Sequence, residues 1–427
     1  MKLALLGGQP VRSAPFRDYN SIGREEEDAA VRVIRSGVLS AFYGSNSEKF
    51  YGGPNVQELE ADWKAYFGMK YACTANSATS ALCTAVGAIG VGPGDEVIVT
   101  PYSMSATATA ILMFNGVPIF SDIEDRYFGL DPAKIKKKIT DRTKAIMVTN
   151  LFGHGARLDE IKKIADDHDL FLIEDCAQSP GASYKGKLTG TYGDIGVFSL
   201  NCHKTIQSGE GGVLVSNDPD LAKKAQLIRN HAEAVIGSGM EVKSLVNMVG
   251  RNYRMTEIEA AIGIEQLKKL DSLNKKRQDL CGHLNEKLAN MEGIIPPAIQ
   301  EDSTHVFYVY PLKINRKRIR ISTELFAKAL LAEGIPFQKG YCKPIHLLPL
   351  YQKKTAYGDK GCPFTCPFYG KEVEYREGDC PVVENLNENE LLMSGIITPP
   401  NTIMDMQDVV AAFEKIIHNQ EGLLEHE

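Results

Sequence analysis

Residues 95–122 read DEVIVTPYSMSATATAILMFNGVPIFSD, and the division of this stretch sets the fold. Asp95–Pro101 is a short apolar run entered from the turn Gly92-Pro93-Gly94, the pattern of a strand buried on both faces. Ser105–Phe114 predicts a helix and Val117–Asp122 a second buried strand. The alternation continues downstream. Pro132–Ile139 predicts a helix and Lys144–Asn150 (KAIMVTN) a strand. Leu158–His168 predicts a helix, with apolar positions at Leu158, Ile161, Ile164 and Ala165, and Leu170–Asp175 (LFLIED) a further strand. Strand and helix in turn at this spacing predict an α/β fold around a mostly parallel sheet.

Beyond Thr256 the pattern changes. Glu257–Asn290 predicts a long helix with a break near Leu270–Ser272. A β run at Val306–Ile314, a helix at Ser322–Glu333, a loop-rich segment at Lys339–Cys380 and a helix at Asp405–His418 follow. The expected division is a large domain over residues 1–260, including an N-terminal arm, and a smaller α+β domain over 261–427. The 427 residues are enough for two such cores.

The net charge of −6 offers no basic footprint for nucleic acid or an anionic membrane surface. The apolar run Leu3–Leu6 is too short for a signal peptide, and no stretch approaches a membrane span, so a cytoplasmic protein is expected. Nine cysteines in a long, well-cored chain predict reduced thiols. Cys362, Cys366 and Cys380 have incomplete zinc-site spacing, and no metal is expected.

Chemistry concentrates in three segments: Glu174–Gln178 (EDCAQ), Phe198–Lys204 (FSLNCHK) and Ser208–Gly212 (SGEGG). Asp175 ends a buried strand, where α/β sheets line their ligand crevice. Asn76–Ser80 (NSATS) precedes a helical pattern, a place where free N–H groups receive phosphate. Pyridoxal phosphate needs a lysine, a carboxylate for its pyridinium nitrogen, phosphate donors and a group on the ring face. Lys204, Asp175 and Ser199 with the Asn76–Ser80 turn match the first three needs. Taken singly, each has a plainer reading: a solvated lysine, a strand-end cap, a helix N-cap.

The ordered set of segments resembles the DegT-type sugar aminotransferases, a branch of the fold-type I pyridoxal phosphate enzymes. Leu3–Pro10 and Phe50–Pro54 are similar to the family's opening. Asn76–Leu82 (NSATSAL) stands at its phosphate loop, and Gly92–Ala110 and Gly116–Asp122 at the following strand-helix-strand. Glu174–Gln178 resembles its EDxAQ segment, Ser199–Gly212 its S-x4-K…EGG block, Asn252–Glu257 its NYRMTE motif, and Pro344–Pro349 its P-x-H-x-x-P loop. The resemblance implies a large domain with a seven-stranded, mostly parallel sheet, and pyridoxal 5′-phosphate as cofactor.

It further implies roles for single residues. Lys204 is the Schiff-base lysine and proton carrier, and Asp175 faces the pyridinium nitrogen. Gln178 lies against the ring or its phenolic oxygen. Ser199 holds the phosphate with the backbone of Ala78 and Thr79. Asn252 reaches the phosphate of a neighbouring subunit, so a homodimer with a shared site is expected. Met104 stands where relatives place a ring-stacking aromatic; either its thioether covers the ring or Tyr102 does so from a shifted register.

Relatives carrying histidine at the lysine position are dehydratases, so Lys204 points to transamination, from glutamate or glutamine to a keto-sugar. His203, Arg251, Tyr341 and His346 are substrate candidates, with Lys339, Lys343, Arg229 and His231 as further polar groups. FYGGP, LNCHKTIQSGEGG and IRNHAEAV resemble a subgroup forming 8-amino-3,8-dideoxy-manno-octulosonate, a lipopolysaccharide sugar. The implied acceptor is then an 8-keto ulosonic acid. A nucleotide-linked 3- or 4-keto-6-deoxyhexose and a keto-cyclitol are alternatives. A non-catalytic binding protein on the same fold is the alternative of another class.

Overall fold

The computed structural model describes residues 2–244 and 246–426. Its main sheet has seven strands: β1 (Tyr71–Ala75), β2 (Glu96–Val99), β3 (Val117–Phe120), β4 (Thr143–Thr149), β5 (Phe171–Asp175), β6 (Ile195–Ser199) and β7 (Gly212–Ser216). They lie side by side in the order β1-β7-β6-β5-β4-β2-β3. Only β7 runs antiparallel to its neighbours, β1 and β6. The reason is local: residues 200–211 return directly from β6 into β7, without the crossover helix that a parallel pair requires.

Every residue of β2, β6 and β7 is buried, because helices cover both sides of the sheet. Among the helices that escape the sequence reading are α1 (Arg24–Ser36), α2 (Pro54–Phe67) and Pro219–Arg229. Glu25, Glu26 and Glu27 sit in the first turn of α1, where they complement the helix dipole, and Gly37 ends it in the left-handed conformation. α2 starts on Pro54 and stops at left-handed Gly68. Alternate residues of one strand serve opposite cores. Val97 and Val99 join the core shared with α3 (Ala78–Ala88) and α4 (Ala106–Leu112), whereas Ile98 packs with Leu158, Ile161 and Ile164.

The helix from Glu257 to Leu288 is continuous, so the expected break at Leu270–Ser272 is absent. Leu267, Leu270, Leu273, Arg277, Leu280 and Leu284 keep one buried stripe, while Asp271 and Ser272 lie on the exposed side. A capping box between Thr256 and Glu259 starts this helix. Position 260/261 therefore falls within one rigid element.

A second, antiparallel sheet contains Ile294–Ile295, Tyr310–Ile314, Leu391–Ser394 and Gln338–Lys339. It shares a core with helices Thr323–Ala332 and Ile403–Asn419. The strand expected at Val306–Ile314 begins only at Tyr310. Ahead of it, Phe307 takes a left-handed φ of 49°, and residues 305–308 dock on the loop after β4. There Val306 N–H donates to Gly153 O at 2.8 Å and Tyr308 N–H to Phe152 O at 2.9 Å.

Two segments pack away from their sequence neighbours. The N-terminal arm, grouped above with the first domain, joins the second core through Leu3. The N–H groups of Ala4 and Val11 donate to Glu333, which also pairs with Lys415. Conversely, the segment after Lys339 places Ile345, Tyr351, Phe364, Tyr375 and Val383 in the core of the main sheet. Among the described residues no helix is long and apolar enough to cross a membrane.

Candidate active site

The carboxyl ends of β5 and β6, the start of α3 and the loop 200–211 meet around a cavity of about 330 Å³. β1 leads through Asn76 to Ser77, which lines one wall. Ser77 caps α3, its Oγ accepting from Ser80 N–H at 3.1 Å, and Ser80 Oγ–H donates to Asn76 Oδ1 at 2.6 Å. Ala78 and Thr79 form the first helical turn, where N–H groups have no partner within the helix, and both line the cavity. β7 passes close behind. A Cβ on Gly212 would fall 2.5 Å from the Ser77 carbonyl and 2.6 Å from Ala78 N, so only glycine permits this approach.

Asp175 ends β5 on the cavity side. Its carboxylate accepts from Thr107 Oγ–H at 2.8 Å and from Ala177 N–H at 3.1 Å. Burial pushes its pKa above the ordinary carboxylate value; these two bonds and the charge of Lys204 oppose that shift. Glu174, one residue earlier, points to the other face of the sheet. It accepts from the N–H groups of Gly190, Tyr192 and Gly193 and from Asn150, and so ties down a loop. Strand alternation thus separates a cavity acid from a structural one.

Ser199 ends β6, buried but lining the cavity. The loop beyond it is held by backbone bonds from Leu200 N–H to Gly211 O and from Lys204 N–H to Asn201 O. Half-buried Lys204 extends into the cavity, its Nζ 4.4 Å from the centre of the Tyr308 ring, a cation–π contact. His203, Met104 and Tyr341 also line the space. Gln178 stands behind Tyr341, donating from Nε2 to its phenol oxygen at 2.9 Å.

Several expected positions do not reach the cavity. Tyr102 is buried, its phenol donating to Asn387 Oδ1 at 2.7 Å and accepting from Tyr341 N–H, so the shifted-register alternative to Met104 fails. Met104 itself is 64% exposed at the rim. His346 is fully buried, its Nε2 2.9 Å from Glu384 Oε1, and serves packing. Arg251 lies near Cys83 and Tyr253, outside the lining. Arg229 is buried against Glu60 at 2.7 Å. Asn252 is exposed, accepting from Arg254 Nε at 2.8 Å. Cys362 and Cys366 lie beside one another while Cys380 is buried, and among the described residues no three His, Cys, Asp or Glu side chains converge as a metal ion would need.

The structure adds Thr107, Asn201, Glu210 and Tyr308 to the cavity. Asn201 and Glu210 flank the lysine in quoted motifs, and Asn201 Nδ2 donates to Glu210 Oε1 at 3.0 Å. Thr107 and Tyr308 lie in stretches that read as helix and strand, with no local signal of a polar role.

A helix start free to hold phosphate, a buried acid needing a cationic partner and a lysine at the same cavity are what pyridoxal phosphate requires. The sequence profile of the DegT/DnrJ/EryC1/StrS aminotransferase family matches residues 42–391.

The chain belongs to this family.

An L-glutamine:2-deoxy-scyllo-inosose aminotransferase from Streptoalloteichus tenebrarius is 32% identical over 98% of this chain and 98% of its own length. A GDP-perosamine synthase from Caulobacter vibrioides is 37% identical over 70% of this chain and 79% of its own length. Among solved structures, an aminotransferase from Psychrobacter cryohalolentis superposes with a TM-score of 0.81 at 28% identity, covering 95% of this chain and 99% of that one. The DegT/DnrJ/EryC1/StrS member described here is a fold-type I, pyridoxal phosphate-dependent sugar aminotransferase.

Proposed function

We propose that the chain moves an amino group from glutamate or glutamine to a polyhydroxylated ketone, with Lys204 and Asp175 as its catalytic residues. The observation carrying this reading is the meeting of Lys204, buried Asp175 and the start of α3 at one cavity. Pyridoxal phosphate, when bound, supplies the carbonyl that exchanges nitrogen and the ring that takes up electrons as the donor loses its Cα proton. Lys204 Nζ accepts and returns that proton. The Asp175 carboxylate, raised in pKa by burial, gains a cationic partner and stays ionised against it. The N–H groups of Ala78 and Thr79, with Ser199 Oγ, hold phosphate. Gln178 orients the ring side of the site, and Met104 shields its rim. Exposed Asn252 would complete the phosphate site of a second copy in a homodimer. The two proposed units meet along the long helix, but the N-terminal arm goes with the second core and the segment beyond Lys339 with the main sheet, so neither follows the 1–260 and 261–427 bounds throughout.

Charge supports a preference among acceptors. Among the described residues the charged lining is Asp175, Glu210 and Lys204, with His203 beside them and no arginine. This favours an uncharged ring, a keto-cyclitol or the 3- or 4-keto-6-deoxyhexose of a nucleotide sugar. The end-to-end match with the inosose aminotransferase supports the same side. An 8-keto-3-deoxy-manno-octulosonate is the second reading, favoured by the quoted segments, with its carboxylate remote from the reacting carbon.

A half-reaction screen tests both. Glutamate or glutamine should convert the visible spectrum of the loaded enzyme, and the correct ketone should restore it. Absence of any donor-driven change defeats the transaminase reading; restoration by the octulosonate alone defeats the neutral-ring preference.

A further inference from the structure

The amide of Gln178 has one possible orientation. Phe152 N–H is a donor 2.7 Å from it, so the atom facing Phe152 must be the carbonyl oxygen Oε1. Phe152 cannot readily turn away. Its φ is 58°, in the left-handed region, and its own carbonyl accepts from Tyr308 N–H at 2.9 Å. The other end of the amide, Nε2, therefore faces Tyr341 and donates to its phenol oxygen at 2.9 Å. A phenol oxygen that accepts this bond keeps its own proton free to donate elsewhere.

The rest of Tyr341 is pinned as firmly. Its N–H is shared between Tyr102 Oη at 2.9 Å and Asn387 Oδ1 at 3.2 Å. Its ring meets Phe152 edge-on at 5.3 Å and Tyr102 at 5.8 Å. Gly340 makes this placement possible. It takes a φ of 65°, and a Cβ there would lie 2.4 Å from Asn387 Oδ1. The ring lines the cavity that holds Asp175, Lys204 and Tyr308. Burial, with the nearby Tyr308 and Asp175, raises the phenol's pKa well above its ordinary value, so the proton stays on across neutral pH.

We propose that Tyr341 is a hydrogen-bond donor into the cavity, its polarity set by the Phe152 backbone through Gln178, and that it recognises an electron-rich oxygen of the bound molecule. Two sources carry such an oxygen: the phenolate of the cofactor, and a carbonyl or carboxylate of the substrate. This inference rests on the proposed function only for its substrate arm. Its cofactor arm reads binding to the apoprotein and stands whether or not any ketone is turned over.

Two variants test it. Tyr341→Phe removes the donor. Gln178→Glu keeps the phenol, but one carboxylate oxygen accepts from Phe152 N–H and the other turns an acceptor toward Tyr341. The phenol must then donate to that second carboxylate oxygen and withdraw its proton from the cavity. Apoprotein of wild type and both variants would be titrated with pyridoxal phosphate, followed by its visible absorbance and the pH dependence of that absorbance. The loaded proteins would then be measured for kcat and for KM of donor and acceptor separately.

If the target is the cofactor's oxygen, both variants weaken cofactor binding about tenfold and move the pH midpoint of its absorbance. If it is the substrate's oxygen, cofactor binding stays at the wild-type level and one substrate's KM rises about tenfold in both. Either result supports the donor. Tyr341→Phe with unchanged cofactor binding, spectrum and both KM values overturns it. Gln178→Glu behaving as wild type while Tyr341→Phe is impaired overturns the fixed polarity. Should wild type bind cofactor yet respond to no amino donor, the proposed function fails, and the cofactor arm still decides this inference.

Discussion

Two regions build the cavity, and they differ in how they do it. Its floor comes from the ends of β5 and β6, the start of α3 and the loop carrying Lys204. Each part there is positioned by its own strand or helix. The opposite wall comes from Tyr308 and Tyr341, held by bonds to Phe152, Gln178, Tyr102 and Asn387 from elsewhere in the chain. Floor residues carry their roles in local sequence, whereas wall residues acquire theirs from long-range contacts. Substitutions in the floor should accordingly remove chemistry, and those in the segment behind the wall should alter stability.

The largest effect is expected at Lys204. Lys204→Ala should bring turnover below detection and remove the lysine-linked visible absorbance, with circular dichroism unchanged. Retained turnover would move the chemistry off the floor. Asp175→Asn follows. It keeps the bond to Ala177 N–H but not the charge, so cofactor should still bind while kcat falls roughly 10²-fold or more. Equal losses in cofactor affinity and kcat would make Asp175 a binding group instead.

The junction of the two regions carries a pH dependence. His154 and His305 stack at 5.3 Å where the loop after β4 meets residues 305–308. Burial lowers the pKa of His154 from 6.5 to about 4, and burial together with His154 lowers that of His305 well below its ordinary value. Tyr127 faces His154, and Gln300 N–H donates to its Nε2. Because the unfolded chain protonates first, His154's contribution is complete above pH 6.5 and declines as pH falls toward about 4. The expected loss is up to about 3 kcal/mol, read from urea midpoints. His154→Gln should flatten that slope; an unchanged slope would assign it to other groups.

The smallest effect on the site is expected at His346. His346→Ala removes the bond to Glu384 beneath the wall and should cost about 2 kcal/mol of stability, leaving both KM values unchanged. A raised acceptor KM would return His346 to the substrate candidates.

The comparison also explains what the sequence could reveal. β2 to β5 were legible because buried parallel strands are short apolar runs between turns, and their neighbours needed no identification. α1 and α2 were missed: their caps are glycines and a proline, signals shared with ordinary turns. Asp175, Ser199 and Lys204 stood out because strand ends and a glycine-rich turn fix them locally. His346 belongs to an equally clear motif, yet burial against Glu384 removes it from the cavity. Tyr308 and Thr107 had no motif at all.

The sequence alone determined the α/β alternation, the resemblance to sugar aminotransferases and the place of Lys204 in the loop between β6 and β7, because these depend on residues close together in the chain. Tertiary structure decided the rest. It sent Glu174 and Asp175 to opposite faces, and it put the arm in the second core and the segment beyond Lys339 against the first. It also fixed which tyrosine faces the cavity. Tyr102 and Tyr341 are both largely buried; contacts with Asn387, Gln178 and Phe152 turn one inward as scaffold and the other toward the cavity.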